Sequence, residues 1–356
     1  MPSFEEYFIP GRHGYLIGIG GVSMAPLAEV LHDQGLVISG SDIQKSDKVE
    51  ELIGRGIHVN IGHEAENITS AIDFVVRTAA VRDENPEIQA AHAMGIPVFE
   101  RAQAWGAIMR TYKNALCIAG THGKTTTTSM CTHIMMAAEK DPTVMIGGTL
   151  PLLHAGHRVG QGDTIVLESC EYYDSFLSFF PTIAVILDVD ADHLDYFADL
   201  DAVKASFRKF ASLVPQDGCV IVSRDDANAM ETVAGLDRRI LTFGLSEDAE
   251  VRAVNIISHG ARTEFDVLHN NRLFAHLNLS VPGIHNVKNA LAATASAIVL
   301  GISPMAVTYG LAGFRGANRR FEFKGKYNGA DIYDDYAHHP SELKALIDAV
   351  EPLGYK

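Results

Sequence analysis

The apolar run 115–119 passes through glycines into Gly120-Thr121-His122-Gly123-Lys124-Thr125-Thr126, and this junction constrains the chain more than any other segment. A β-strand that turns through glycines straight into a helix opening on a lysine forms a cradle for phosphate. The glycines let successive backbone N–H groups converge on the anion, and the helix N-terminus adds partial positive charge. Lys124 then has the reach for the β- and γ-phosphates, and the Thr125 hydroxyl is placed to hold Mg²⁺. ATP or another nucleoside triphosphate is the expected ligand. One position departs from the pattern G-x-x-x-x-G-K-[ST]: Ile118 stands where a glycine is usual.

At 356 residues the chain is too long for one ordinary core, so two or three domains are expected. A composition of 47% hydrophobic and 21% charged residues is that of a soluble globular protein. The formal net charge of −15 argues against sequence-independent binding to nucleic acid, while leaving room for a local basic pocket. Cys117, Cys131, Cys170 and Cys219 are scattered without a C-x-x-C pair, which disfavours disulfide scaffolds and thiolate zinc sites. No basic, apolar secretion signal opens the chain, and no apolar run has the length to span a bilayer. The expected compartment is the cytoplasm, without membrane insertion; the oligomeric state is not legible.

Strand and helix alternate through the first hundred residues: strands at 15–20, 36–40, 74–78 and 97–99, helices at 23–34 and 86–94. That alternation predicts a parallel, doubly wound sheet. A second α/β unit starts at Asn114, with strands at 144–146, 164–168, 183–189, 219–222 and 240–243. Residues 250–281 read as an antiparallel insert turning at Asn270-Asn271, followed by a helix over 285–300 and a shorter one after Ser303-Pro304. From Arg319 the pattern restarts, with a strand at 330–333 and a helix at 341–350. The expected fold class is α/β: an N-terminal Rossmann-like parallel sheet (1–112), a central P-loop ATPase-like domain (113–317) and the beginning of a third Rossmann-like domain (318–356).

Several clusters carry chemistry. Gly18, Gly20, Gly21 and Ser23, with Asp42 beyond the second strand, form a fingerprint for a pyrophosphate at a helix N-terminus. A UDP-type ligand, NAD(P) and a purely structural turn all satisfy it. Glu168-Ser-Cys-Glu171-Tyr-Tyr-Asp174 ends an apolar strand on the sheet edge where the phosphate loop lies, and offers hard oxygens to Mg²⁺. Asp188-Val-Asp190-Ala-Asp192-His193-Leu-Asp195 follows the next strand, which makes His193 a metal or phosphate candidate tuned by Asp192. Asn286 and Asn289 share one helical face and can present amides to a base. Arg319-Arg320 suits bidentate phosphate contact, and Asp334-Asp335-Tyr-Ala-His338-His339-Pro340 stands at a strand end before a helix.

Taken together and in this order, these segments resemble the Mur ligases, the ATP-dependent amide-forming enzymes of peptidoglycan synthesis. The resemblance runs along essentially the whole chain. His122, Gly20-Gly21-Val-Ser23-Met, Ser39-Gly-Ser41-Asp42 and His-His-Pro are most similar to members that join L-alanine to the lactyl carboxylate of UDP-N-acetylmuramate. Members that attach a recycled tripeptide to the same sugar are the nearest alternative; a non-catalytic or NAD-binding Rossmann protein is the more distant one. The resemblance implies an acyl phosphate made from ATP and then attacked by the amine, with release of ADP and phosphate. It implies catalytic roles for Lys124, Glu168 and His193, with Thr125, Glu168 and His193 around Mg²⁺. Residues 120–126 would hold the ATP phosphates, with Asn289 at adenine, Arg319 at the phosphates and Asp334 at the ribose. Gly18, Gly20, Gly21, Ser23, Ser41 and Asp42 would hold the UDP-sugar, and His338 and His339 would lie near the amino acid. Several relatives carry a carbamoylated lysine beside a second metal; Lys204 and Lys209 stand in the corresponding region. The family carries a full C-terminal domain, so the resemblance implies a chain truncated in its third domain, with the first two whole.

Overall fold

In the computed structural model, which describes residues 3–78 and 80–354, β1 (His13–Ile17) is buried from its second residue onward. Gly18, at φ +75°, ends the strand three residues before the apolar run does. α1 (Met24–Asp33) follows, with Ser23 at its N-cap. The chain continues through β2 (Val37–Asp42), α2 (Asp47–Gly54), β3 (His58–Ile61), β4 (Phe74–Arg77), α3 (Pro86–Ala93), β5 (Val98–Glu100) and α4 (Arg101–Met109). The sheet order is β3-β2-β1-β4-β5 and every pairing is parallel. Order therefore reverses beside β1, the place where doubly wound sheets open a crevice. Tyr15, Ile17, Val75 and Ile88 form the core on one face. These elements, up to Tyr112 and with Ser178–Phe180, make one compact unit.

The second unit comprises Lys113–Leu177 and Pro181–Lys356. Its elements are β6 (Asn114–Ala119), α5 (Lys124–Ala137), β7 (Thr143–Leu150), β8 (Ala155–Arg158), β9 (Thr164–Glu168), β10 (Ile183–Ile186), α6 (Leu200–Ser212), β11 (Cys219–Ser223), α7 (Ala227–Val233) and β12 (Arg239–Gly244). They continue with β13 (Val251–His259), β14 (Arg262–His269), β15 (Arg272–Leu279), α8 (Ile284–Val299) and α9 (Pro304–Gly313). Ten strands form one sheet in the order β15-β14-β13-β12-β11-β10-β6-β9-β7-β8. From β13 to β7 each neighbouring pair is parallel. The stretch expected as an antiparallel insert is antiparallel through β13, β14 and β15, and it also extends the main sheet, because β13 pairs parallel with β12.

The last segment holds β16 (Glu322–Tyr327), β17 (Ala330–Asp334) and α10 (Pro340–Val350). β17 has an antiparallel neighbour, β16, where the sequence pattern suggested a single strand. β16 has three charged residues and a glycine in six and little alternation, so periodicity gives it no signal. α10 carries a capping box, with His339 at the N-cap and Glu342 returning to the cap backbone.

The helices α5, α8 and α9 cover the phosphate-loop sheet with small residues. Ala290, Ala292, Ala293, Ala295 and Ala297 of α8 are all buried, and Gly310 of α9 lies against the backbone of α5. A Cβ at Gly310 would sit 2.6 Å from Ile134 Cα and 2.8 Å from its nitrogen. Gly→Ala in a helix interior ordinarily stabilises by about 0.5–1 kcal/mol. Here the sign should reverse: Gly310→Ala is expected to destabilise by about 1–3 kcal/mol through overpacking. Urea unfolding of the variant checks this, and an unchanged or raised midpoint would contradict the packing described.

Candidate active site

The phosphate loop depends on backbone angles that only glycine takes easily. Gly120 has φ +147° and Gly123 φ +80°. A Cβ at Gly120 would stand 2.8 Å from Leu187 Cβ, and one at Gly123 2.6 Å from Asn289 Oδ1. At the head of α5, the Lys124 ammonium turns back on the loop. It donates to the carbonyls of Gly120 and of Thr121 (3.0 Å) and to both carboxylate oxygens of Glu171 (3.2 and 3.1 Å). Glu171 is buried. Burial by itself would lower the Lys124 pKa, but the Glu171, Cys170 and Glu168 charges outweigh it and hold the ammonium above its ordinary value. Sequence reading placed Glu171 in the acidic segment without singling it out; its location just past the C-terminal end of β9 was the available signal.

Thr125 Oγ1 donates to Glu168 Oε1 at 3.1 Å, and Glu168 Oε2 accepts the Gly147 N–H at 2.7 Å. His193 stands in a different setting. Its ring stacks on Tyr172 at 4.4 Å, its N–H goes to Asp192 Oδ1 at 2.7 Å, and its φ is +53°. Tyr173 and Asp174 have positive φ as well, so three non-glycine residues here carry backbone strain. No hydrogen bond joins His193 to Thr125 or Glu168 among the described residues.

His122, a phosphate-loop residue that also carries part of the family resemblance, is a hub whose partners lie far away in the chain. Its N–H donates to Asp188 Oδ1 at 2.8 Å, and burial pushes the Asp188 carboxyl up to about 6. Its Nδ1 lies 3.3 Å from Glu342 Oε1, and its ring centroid is 4.9 Å from that of His339. Glu342 Oε2 accepts the backbone N–H of His338 at 3.1 Å and of His339 at 3.4 Å. Burial would raise Glu342, but the His122 and backbone hydrogen bonds prevail and bring it down to about 2. For His122, burial acts downward, while the Glu342 hydrogen bond and the Asp188 and Glu342 charges raise the imidazole above its ordinary value.

A cavity of about 310 Å³ opens beside this hub, lined among others by Gly123, Asn286, Asn289, Arg320, Phe321 and Asp335. Asn289 Oδ1 accepts from Thr127 Oγ1 at 3.3 Å, and its amide donates to Asn286 Oδ1 at 3.3 Å. Arg319 and Asp334 are not among the lining residues. They pair with each other, Nε to Oδ2 at 3.6 Å, with Arg319 lying over the Tyr336 ring at 4.8 Å. Their chain neighbours Arg320 and Asp335 line the cavity instead. His338 is largely exposed, with Nδ1 3.0 Å from the Tyr336 carbonyl. The Lys204 ammonium is ion-paired with Glu231 at 2.8 Å, which raises its pKa, and Lys209 is exposed. Neither is set in a buried carboxylate site.

In the first unit, the Gly20 N–H donates to Asp42 Oδ2 at 2.8 Å, and the Gly21 N–H to the Gly18 carbonyl at 3.0 Å. The Ser23 hydroxyl accepts from Arg101. Ser41 is fully buried and donates to Glu87 Oε2 at 2.7 Å. Buried Glu87 also accepts from Tyr15 OH at 2.7 Å and Asn67 Nδ2 at 2.8 Å, and meets His63 Nδ1 at 2.9 Å. Ser41 is thus tied into a buried polar network, whereas Gly18, Gly20, Gly21 and Asp42 shape the turn itself.

Residues 118–297 match the Mur ligase middle domain, residues 13–113 the Mur ligase family catalytic domain, and residues 319–355 the Mur ligase glutamate ligase domain. The chain belongs to the Mur ligase family. It is accordingly an ATP-dependent amide-forming ligase of peptidoglycan precursor synthesis. The UDP-N-acetylmuramate–L-alanine ligase of Caldanaerobacter subterraneus is 45% identical over 96% of this chain and 74% of that protein. That of Agathobacter rectalis is 45% identical over 95% of this chain and 74% of its own length. Among solved structures, the UDP-N-acetylmuramate-alanine ligase of Thermotoga maritima superposes with TM-score 0.82 at 31% identity, covering 96% of this chain and 78% of that one. A murein peptide ligase of Psychrobacter arcticus gives TM-score 0.81 at 26% identity over 97% and 77%. No helix among the described residues is long and apolar enough to cross a membrane.

The His122–Glu342 pair makes the docking of α10 on the loop pH-dependent. The contribution of His122 is complete below its ordinary 6.5 and is lost as pH rises through the raised folded value. That of Glu342, held at about 2, is complete above its ordinary 4.5 and is lost as pH falls towards 2. Docking should be tightest between those two ordinary values. Amide exchange at His338 and His339, corrected for intrinsic rate, is expected to accelerate above neutral pH, and Glu342→Gln to flatten the profile. An identical profile in the variant would refute the coupling.

Proposed function

We propose that this chain joins L-alanine to the lactyl carboxylate of UDP-N-acetylmuramate, using ATP, in the cytoplasm. The observation that carries the substrate assignment is 45% identity to L-alanine ligases along nearly the whole chain. The weaker 26% identity to a murein peptide ligase makes the tripeptide-recycling reaction the lesser reading. In this proposal residues 1–112 bind the UDP-sugar, 113–317 bind ATP, and 318–356 belong to the module that receives the amino acid.

Oxide is too poor a leaving group for an amine to displace directly from a carboxylate. One lactyl oxygen therefore attacks the γ-phosphorus, the bond to the β–γ bridging oxygen breaks, and ADP leaves. The alanine amine then adds to the acyl carbon of the acyl phosphate, loses a proton, and the tetrahedral intermediate expels phosphate. Two polyanions must meet, so positioning and charge neutralisation carry the rate. The buried Lys124 ammonium, held ready by Glu171, would exchange loop carbonyls for phosphate oxygens. The N–H groups over Gly120–Thr126 would receive the phosphates, and Asn289 the adenine. The family resemblance points to Arg319 and Asp334 as phosphate and ribose contacts; the cavity lining favours Arg320 and Asp335 for those tasks. Gly18, Gly20, Gly21, Ser23 and Asp42 would seat the UDP diphosphate and ribose, with Ser41 bracing the turn from inside, and His338 and His339 would lie near the amine.

The donor set fits Mg²⁺: Thr125 and Glu168 offer hard oxygens 3.1 Å apart, and a Cβ at Gly147 would come 2.5 Å from Glu168 Oε1. His193 would join the site from the β10 edge. When bound, the ion would neutralise charge on the transferring phosphoryl group.

Phosphate release is expected to require UDP-N-acetylmuramate, ATP and L-alanine together, and the tripeptide is expected not to replace L-alanine. Lys124→Met should lower kcat/KM by about 10²–10³-fold, and calorimetry should show UDP-N-acetylmuramate bound and NADPH not. Phosphate release indifferent to L-alanine, or NADPH binding alone, would overturn the assignment.

A further inference from the structure

Three side chains of metal-ligating type meet where the last segment approaches the phosphate loop. His122, Asp190 and His339 each offer a ligand atom, and those atoms all lie within 4.8 Å of one another. His122 Nε2 is 3.9 Å from Asp190 Oδ2. A single hydroxyl marks their common focus: Ser341 Oγ lies 3.4 Å from His122 Nε2, 3.3 Å from Asp190 Oδ2 and 2.6 Å from His339 Nδ1. Three donors, from the loop, from the segment after β10 and from the N-cap of α10, thus surround one hydroxyl, which an incoming ion would displace. At bond lengths of about 2.0–2.2 Å, ligand atoms around a tetrahedral ion stand a little over 3 Å apart. The separations here ask for closure on the scale of a side-chain adjustment.

The arrangement behind the ligands points the same way. Glu342 faces His122 Nδ1 at 3.3 Å and is itself anchored by two backbone N–H groups. A carboxylate on one imidazole nitrogen fixes the tautomer and turns the lone pair of the other nitrogen towards the focus, the usual support of a metal-bound histidine. Two imidazoles and one carboxylate suit Zn²⁺, Co²⁺ or Ni²⁺. Mg²⁺ prefers oxygens and keeps its waters, the kind of donor set proposed at Thr125 and Glu168.

We propose that His122, Asp190 and His339 form a transition-metal site of Zn²⁺ type, with Glu342 as the positioning carboxylate, which fastens the start of α10 to the phosphate loop. The inference is independent of the ligase assignment, since it needs neither nucleotide nor sugar.

Titration of the intact, untagged chain with Co²⁺ tests it, read by the visible absorption of a tetrahedral complex and by calorimetry with Zn²⁺. One equivalent should bind and slow amide exchange in α10. His339→Gln and Asp190→Asn should each weaken binding at least about tenfold, and Glu342→Gln by about 10–100-fold. His259→Gln, at an exposed position away from the focus, should bind like the parent. Circular dichroism checks that each variant is folded, and His339→Asn serves if the glutamine variant is not. Binding that survives loss of His339, displacement of Co²⁺ by equimolar Mg²⁺, or no stoichiometric binding would each overturn the site while leaving the ligase reading intact.

Discussion

A largely buried lysine is the constraint around which the second unit is organised. An ammonium withdrawn from water costs several kcal/mol unless charges and acceptors replace its hydration. Lys124 finds them in two loop carbonyls and the carboxylate of Glu171. That arrangement requires β6 to stop at Ala119, Gly120 and Gly123 to take positive φ, and β9 to deliver its acidic segment to the same edge. Parallel pairing of β6 with both β9 and β10 achieves this, since parallel neighbours end together. Asp188, at the end of β10, then meets the loop from the other side through the His122 N–H.

The same logic operates in the first unit on a smaller scale. Its sheet reverses order beside β1, and the turn after β1 is braced by Asp42 from β2. Below that turn, Glu87 gathers Tyr15, Ser41, His63 and Asn67 into one buried network. Every member has a partner, which is the condition under which buried polarity rigidifies a site.

Much of this was legible in the chain. Contiguous apolar runs bounded by glycine announced the central strands, and the glycine–lysine–threonine junction announced the turn from β6 into α5. The sequence pattern left α2, β3, α4, β8, α6, α7 and β16 unassigned. β3 and β16 are short and largely polar, and α4 is buried nearly all round, so no stripe stands out there. α6 is different: Val203, Phe207, Phe210 and Ala211 fall on one buried helical face, a periodic signal present in the chain. Among site residues, Glu171 was visible as a carboxylate but not as the partner of Lys124. The choice of Arg320 over Arg319 at the cavity, and of Asp335 over Asp334, turns on which side of the backbone each side chain leaves. At the end of β17, adjacent residues in extended chain point to opposite faces, so a shift of one position exchanges Asp334 and Asp335; Arg319 sits in a turn at φ +59°, and it is this turn that decides which arginine faces the cavity.

Local chemistry in the chain specified the units that can form: strand, glycine turn and helix around Lys124, the caps at Ser303 and His339, and carboxylates at strand ends. Those depend on neighbours a few residues apart, within reach of backbone geometry and periodicity. Tertiary folding settled which distant groups share a charge or a proton. His122 and Glu342 lie 220 positions apart in sequence, Lys124 and Glu171 lie 47 apart, and no local pattern links either pair. Electrostatic partnership falls off within a few ångströms once charges meet water, so it comes into being only where packing brings the groups together and excludes solvent.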